Sequence, residues 1–509
     1  MLFPTFEFFL FFTVILVLNW YLKRWPIIWR LFLLLASYFF YSLWDVRFLY
    51  IIFFVSLFNF LTGLAIYFGG KNTPASDAAG MKAAKRTRPV GDIPPLRGRI
   101  VHKNFIGKKP ILIGTVIINI LILGLFKYYD FFRVSAESLL EKFGLPATLP
   151  FLEIILPLGM SFYIFRVISY NIDVYRKKYP PTTSLLDFLI YVAFFPQLLS
   201  GPIARADEFL PQLKAGGTKV IENTYEYFTL IFLGLFKKLV ISSYLVSNIT
   251  DDVFAVPENH ASYVILLAVF AYSLVIYFDF SGYSDLAIGF AGLMGFKSPI
   301  NFNSPYLSLN IKDFWRRWHI TLSNWIRDYV YIPLGGSRKG LIRKYFNLMV
   351  AMLVVGLWHG AAVHFIFWGG LQGLGLVASH FLEDVKKTGM RKISIWRENF
   401  SKIFWWLITF SFVSFSWIFF RSDNMQSAFQ FIKNLFYNQG IIEKLQTYTI
   451  LVILIGFLLF LFEKQVIMAL TLIQQKMPLL IWFAFVILFV LSLFKLGPDI
   501  IPPFIYFSF

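Results

Sequence analysis

The chain contains no cysteine. That absence removes disulfides, thiolate metal sites and a covalent thiol nucleophile in one step. Charge is also scarce, at 15% of 509 residues, where soluble globular domains carry about a quarter. The pattern shows no HExxH, no carboxylate-rich metal cluster, no GxSxG and no P-loop. Metal hydrolase, serine hydrolase and nucleotide-driven pump are therefore weak readings, and no metal site is expected. Nor is there a basic finger, sheet or arm that would enter a nucleic-acid groove. The net charge of +19 instead sits in loops that flank apolar runs, which is the signature of membrane topology. The first residues, MLFPTFEFFLFFTVILVLNWYL, lack the positive n-region and small-residue cleavage site of a signal peptide and read as a retained span.

What is present is apolar bulk, 58% hydrophobic and 20% aromatic. A mean hydropathy of +0.66 over the full length means many spans rather than one anchor. Backbone groups in lipid must be satisfied within the protein, so an all-α, polytopic integral membrane protein is expected. Apolar runs fall at 5–22, 28–45, 48–69, 110–126, 151–171, 187–202, 226–249, 261–280, 283–296, 345–380, 403–420, 446–462 and 478–496. Several are short or interrupted, which gives about 11 to 13 membrane helices or half-helices.

The stretch 71–109 carries ten Lys/Arg against Asp77 and Asp92, and the positive-inside rule puts it in the cytosol. Counting back three spans places the N-terminus outside. Residues 312–344 hold eight Lys/Arg against Asp313 and Asp328 and mark a second cytosolic surface. Residues 383–402 are basic too, so the block 345–380 between them should leave and return to the same side, as a helical hairpin or re-entrant pair.

That block contains GLWHG, residues 356–360, with His359 beside Trp358 and between two glycines. An intramembrane histidine is either a satisfied structural group or a proton-handling one. Gly356 and Gly360 would let another backbone or a substrate come close. His364 lies five residues on, roughly 140° round a helix, so the two histidines cannot share a metal from one face.

The stretch 311–328, IKDFWRRWHITLSNWIRD, reads as one amphipathic helix in the interface. Trp315, Trp318 and Trp325 share one arc, Arg316, Arg317 and Asn324 the other, and His319 falls on the boundary. Two further stretches put polar groups in apolar context. One carries Arg166, and YFDFSGYSDLAIG carries Asp279 and Asp285. A structural polar network is the plainer reading. A tunnel wall of Ser281, Tyr283 and Asp285 would look the same.

Five stretches taken together resemble the membrane-bound O-acyltransferase (MBOAT) family: LPLGMSFYIFRVISYNIDVYR, FFPQLLSGPIARADEFLPQL, YFDFSGYSDLAIGFAGLMGFKSPINFNSPY, DFWRRWHITLSNWIRDYVYIPLGG and GLWHGAAVHFIFWG. They lie in order between 156 and 370 and fill about half of that range, and their wording is most similar to the bacterial alginate O-acetylation branch. Relatives there acetylate other exported polysaccharides, and a sister branch exports D-alanine onto teichoic acids.

The resemblance implies a single MBOAT domain over 1–509, a ring of helices around a central tunnel. It would comprise N-terminal spans 1–126 with the basic loop 71–109, a catalytic core 150–380 and C-terminal spans 403–509. It implies that His359 and His319 are catalytic, with Trp315, Arg316, Trp318, Asn324, Trp358, Ser281, Tyr283 and Asp285 as tunnel or substrate contacts. It implies acetyl-CoA as donor substrate with no tightly bound cofactor, and a basic rim of Arg316, Arg317, Arg338 and Lys339 for the coenzyme phosphates. The expected partners are membrane lipids, acyl-CoA and an extracytoplasmic protein that carries the acetyl group onward, with no nucleic acid. The expected location is the bacterial cytoplasmic (inner) membrane, multi-pass. D-alanyl or lipid acyl transfer, and a non-enzymatic transporter or flippase with Arg166, Asp279 and Asp285 along a pathway, are the competing readings.

Overall fold

A computed structural model describes residues 3–69, 107–145, 148, 150, 155–217, 223–388, 395–438, 447–496 and 502–505. The basic stretch expected at 71–109 lies outside the described residues up to 106. Among the described residues the regular structure is entirely helical. Among the described residues eight helices are long and apolar enough to cross a membrane, and Phe6–Leu22, Pro26–Ser42 and Leu479–Ser492 are shorter apolar ones.

The helices in chain order are α1 (Phe6–Leu22), α2 (Pro26–Ser42), α3 (Arg47–Phe68), α4 (Lys108–Lys142), α5 (Met160–Tyr175), α6 (Leu185–Ala193) and α7 (Ala206–Lys214). Next come α8 (Thr224–Ala255), which includes two π-helical segments, α9 (Ser262–Leu293), α10 (Ile311–Arg317) and α11 (Ile320–Ile326). The last are α12 (Gly340–His359), α13 (Val363–Thr388), α14 (Ile395–Arg421), α15 (Met425–Tyr437), α16 (Thr447–Lys476) and α17 (Leu479–Leu496).

Local signals open several of them. Pro26 stands in the first turn of α2, where its missing N–H costs nothing. The side chains of Asn310 and Asn424 accept from Asp313 N (2.8 Å) and Ser427 N (2.9 Å), capping α10 and α15.

The apolar runs at 261–280 and 283–296 were expected as two segments. The structure joins 262–293 into one 32-residue helix, α9. The YFDFSGYSD stretch that looked like an interruption is buried there against α8, where Gly234 and Gly282 bring the two backbones into close contact. The block 345–380 is the hairpin its flanking charges called for, α12 packed against α13.

Polar groups tie the spans together. Asn59 of α3 exchanges amide hydrogen bonds with Asn119 of α4 (both 2.9 Å) and accepts one from Asn171 of α5 at 2.8 Å. Amide pairing of this kind holds helices where the hydrophobic effect gives no preference for protein over lipid. Arg166 is 1% exposed and lies among carbonyl groups. It donates to Tyr191 O (3.1 Å), Gln197 O (3.0 Å) and Gln197 Oε1 (3.3 Å), so it closes the irregular 194–205 segment onto α5 and is not on a pathway.

Replacing Arg166 by Met should leave those buried carbonyls unsatisfied, at a cost of about 3 kcal/mol. The expected outcome is a lower unfolding midpoint in detergent than for the wild-type protein; an unchanged midpoint contradicts this role.

Candidate active site

Residues 311–328 are not the single interfacial helix that their periodicity suggests. The chain breaks at His319, which has φ 39° and ψ 56°, left-handed backbone that a non-glycine residue adopts only when its surroundings impose it. The surroundings here are the segment 301–303. Asn303 N donates to Arg317 O (3.0 Å) and Ile320 N to Asn301 O (2.9 Å), one bond on each side of the break. Asn301 is itself fixed by Thr321 Oγ1 (2.7 Å), which donates to its Oδ1, and by Ser284 Oγ (3.0 Å), which accepts from its Nδ2. The result pushes the imidazole inward, to 1% exposure, instead of along the membrane surface.

His359 is the last residue of α12 and is 3% exposed. The helix ends there because Gly360 is extended, at φ −164°. A Cβ at Gly360 would strike the Phe365 ring, and one at Gly356 would strike Phe365 O and lie 3.0 Å from Gly369 Cα. The two glycines of GLWHG thus admit α13, and through it the tight return of the chain after His359.

The two histidines flank one indole. Trp358 has its ring centroid 4.7 Å from that of His359 and 6.0 Å from that of His319. Trp368 and Phe420 each stand 5.0 Å from His359, edge to face. Phe280 stands 4.6 Å from His319.

A small cavity, about 60 Å³, is lined by Trp358, Phe162 and Lys127, and two larger ones approach the cluster. The first, about 560 Å³, is lined by Lys127, Gly360, Ala361, His364, Arg421 and Asp423 among others, and so begins one residue from His359. The second, about 640 Å³, is lined by Ser281, Ser284, Asp285, Asn301, Phe302, Lys297 and Lys464 among others. Phe302 packs 5.0 Å from Phe280, which in turn covers His319.

The two larger cavities lie toward opposite ends of the α8–α9 hairpin. Arg421, in the first, is paired at 2.7 Å with Asp251 near the turn, whereas Asn223 and Glu226, in the second, open α8 at the far end. At 1.5 Å per residue the 25 positions between Glu226 and Asp251 span about 37 Å, the thickness of a bilayer.

The remaining expected site residues do not form one wall. Ser281 and Asp285 line the second cavity together, being four residues apart on α9. Tyr283 faces the other way, with Asp279: its ring packs 4.6 Å from Phe504, while Asp279 accepts from Ile505 N at 2.7 Å and pairs with Lys238 at 2.5 Å. Trp358 touches both histidines.

Trp315 and Trp318 are buried packing groups. Trp315 donates to Gln372 Oε1 (3.1 Å), and Trp318 stacks on Phe314 at 5.4 Å. Arg316 is exposed and Asn324 half-buried. Behind the second cavity's wall, which Asp285 and Glu463 line, the fully buried Lys237 bridges those two carboxylates (2.5 Å to Asp285), and Tyr277 donates to Glu463 at 2.5 Å. Further from the centre, burial alone would raise the Asp328 carboxyl, but Arg327 and Arg205 beside it hold it below the usual carboxylate range.

Sequence reading missed Asn301, Ser284, Lys237 and Glu463, and also the inserted residues 502–505. Only Lys237, a lysine inside an apolar run, carried a visible signal.

A polytopic helical membrane protein with a buried histidine pair, one cavity beginning a residue away from His359 and another two aromatic rings away from His319, is a frame for group transfer at a membrane. The chain belongs to the membrane-bound O-acyltransferase family, whose profile matches residues 174–422. It is 38% identical over 402 residues to the probable alginate O-acetylase AlgI of Pseudomonas putida, covering 78% of this chain and 73% of that one. It is 34% identical over 445 residues to the peptidoglycan O-acetyltransferase of Helicobacter pylori, covering 82% and 76%. Against the teichoic acid D-alanyltransferase of Bacillus subtilis the figures are 32% over 279 residues, 52% and 68%.

Gly356→Ala should wedge α12 from α13 and destabilise the hairpin by about 1–3 kcal/mol. A thermal midpoint in detergent equal to that of the wild type would show the crossing to be looser than described.

Proposed function

We propose that the chain transfers an acetyl group from cytosolic acetyl-CoA to a hydroxyl on the outer side of the bacterial cytoplasmic membrane, for O-acetylation of an exported polysaccharide of the alginate type. One observation carries the reading. His359 and His319 share the Trp358 indole; one cavity begins at Gly360, next to His359, and the other ends at Phe302, which Phe280 alone separates from His319. The names of relatives such as the alginate O-acetylase and the peptidoglycan O-acetyltransferase support acetyl as the group and an exported polymer as its destination.

The donor uses the 640 Å³ cavity, where Lys297 and Lys464 are the cations for a coenzyme diphosphate, the lining carboxylates Asp285 and Glu463 are paired with Lys237 and Glu226 stands at the mouth, and Ser281 and Asn301 offer polar contacts to the amide-bearing arm. The basic surface at 312–344 supports a cytosolic position for that cavity's end of the molecule, and with it an outside N-terminus, by the positive-inside rule. The acceptor hydroxyl uses the 560 Å³ cavity beside Gly360. His359 takes the hydroxyl proton as the oxygen attacks the thioester carbonyl. The carbon–sulfur bond breaks, and the proton leaves on the thiol by way of His319. General-base help of this kind is worth roughly 10² to 10⁴ in rate, and alignment of donor and acceptor adds to it. An extracytoplasmic partner then carries the acetyl group to the polymer, no tightly bound cofactor is required, and residues 150–380 form the catalytic core.

In proteoliposomes supplied with acetyl-CoA and a small alcohol acceptor, His359→Ala should lower both free coenzyme release and ester formation at least about 100-fold. His319→Asn, a side chain that tolerates the left-handed backbone, should do the same while the protein stays folded. Full transfer by folded His359→Ala sinks the reading. Movement of a solute without coenzyme release would favour a transporter instead.

A further inference from the structure

A helix that stops inside a membrane protein leaves its last carbonyls without intrahelical partners. In α12 those carbonyls belong to Leu357, Trp358 and His359. All three are met by two adjacent side chains of a different helix. Lys127 Nζ donates to Trp358 O at 2.6 Å and to His359 O at 3.0 Å, and Tyr128 Oη donates to Leu357 O at 2.6 Å. Both residues belong to α4, which is far away in sequence and is anchored by the Asn59–Asn119 pair.

The chemistry is matched on both sides. The C-terminus of a helix carries partial negative charge, and an ammonium is the group that answers it. Three donors on one nitrogen allow it to serve two successive carbonyls. The same Lys127 lies on the wall of the 560 Å³ cavity, so its placement also shapes the space next to His359.

We propose that Lys127 and Tyr128 are positioning residues for acyl transfer: they clamp the end of α12 and thereby fix the direction of the His359 imidazole. The proposal rests on His359 being the reacting group. Neither residue needs to touch a substrate. Their effect is to hold the turn against the pull of Gly360, whose extended backbone would otherwise let residues 357–359 unwind by one turn.

The test separates positioning from folding and from the reading beneath it. Lys127→Met keeps the length of the side chain and loses its donors, Lys127→Arg keeps cation and donors, and Tyr128→Phe loses one hydroxyl at an exposed site. In the proteoliposome assay Lys127→Met should reduce kcat on the order of 10²-fold, the loss typical of a reacting group displaced by about 1 Å. KM for acetyl-CoA should stay within twofold, and Lys127→Arg should restore most of kcat. Tyr128→Phe should show a smaller loss, again in kcat alone, and decides the matter if Lys127→Met fails to fold. An unchanged kcat in Tyr128→Phe, a loss confined to KM, or a Lys127→Met loss that Lys127→Arg leaves uncorrected overturns the proposal. Wild-type activity in His359→Ala would instead overturn the reading beneath it.

Discussion

A helix terminus in the interior of a membrane protein has to find hydrogen-bond partners in protein, because lipid offers none. The end of α12 at His359 is that situation, and much of the fold follows from it. Glycine at 360 lets the chain leave the helix, glycine at 356 lets α13 return close beside it, and α4 supplies donors for the exposed carbonyls. α4 reaches the site because amide pairs hold it to α3, and α3 to α5. The costly termination places an imidazole one residue from the start of the 560 Å³ cavity.

His319 arrives by a different device. The backbone at 319 is forced left-handed by bonds to Asn301 and Asn303, and Asn301 is held by Ser284 of α9. α9 therefore sets both the wall of the second cavity and, through Asn301, the break that turns His319 inward. Two histidines from two interruptions of helical structure meet across Trp358. Among the described residues left-handed non-glycine backbone occurs at Lys177, Ser304 and His319, and the last of these carries a side chain of the histidine cluster.

The membrane class, the spans and the hairpin were readable because hydropathy and loop charge act along the chain itself. The break at His319 was not: 311–328 keeps helical periodicity throughout, and what stops the helix is a pair of backbone hydrogen bonds with Asn301 and Asn303, 14 to 19 residues earlier. Tyr283 could have been separated from Ser281 and Asp285, since two residues on a helix turn about 200° and four bring the chain back to the same face. The carbonyl clamp of Lys127 and the inserted 502–505 segment join residues more than 200 positions apart, and one sequence holds no sign of either. Arg166 shows the reverse case. A buried charge was correctly read as structural, because mid-span arginine has few other ways to be tolerated.

The central claim is that the histidine pair is approached from opposite sides of the membrane. The lack of native cysteine makes a direct measurement simple, since single cysteines can be introduced without background. Ala361→Cys and Asn303→Cys, one in each cavity, are to be treated with a membrane-impermeant thiol reagent added to one face of sealed vesicles at a time. Modification of residue 361 only from the outer face and of residue 303 only from the cytosolic face, the latter slowed by acetyl-CoA, is the predicted result. Modification of both from the same face would contradict it.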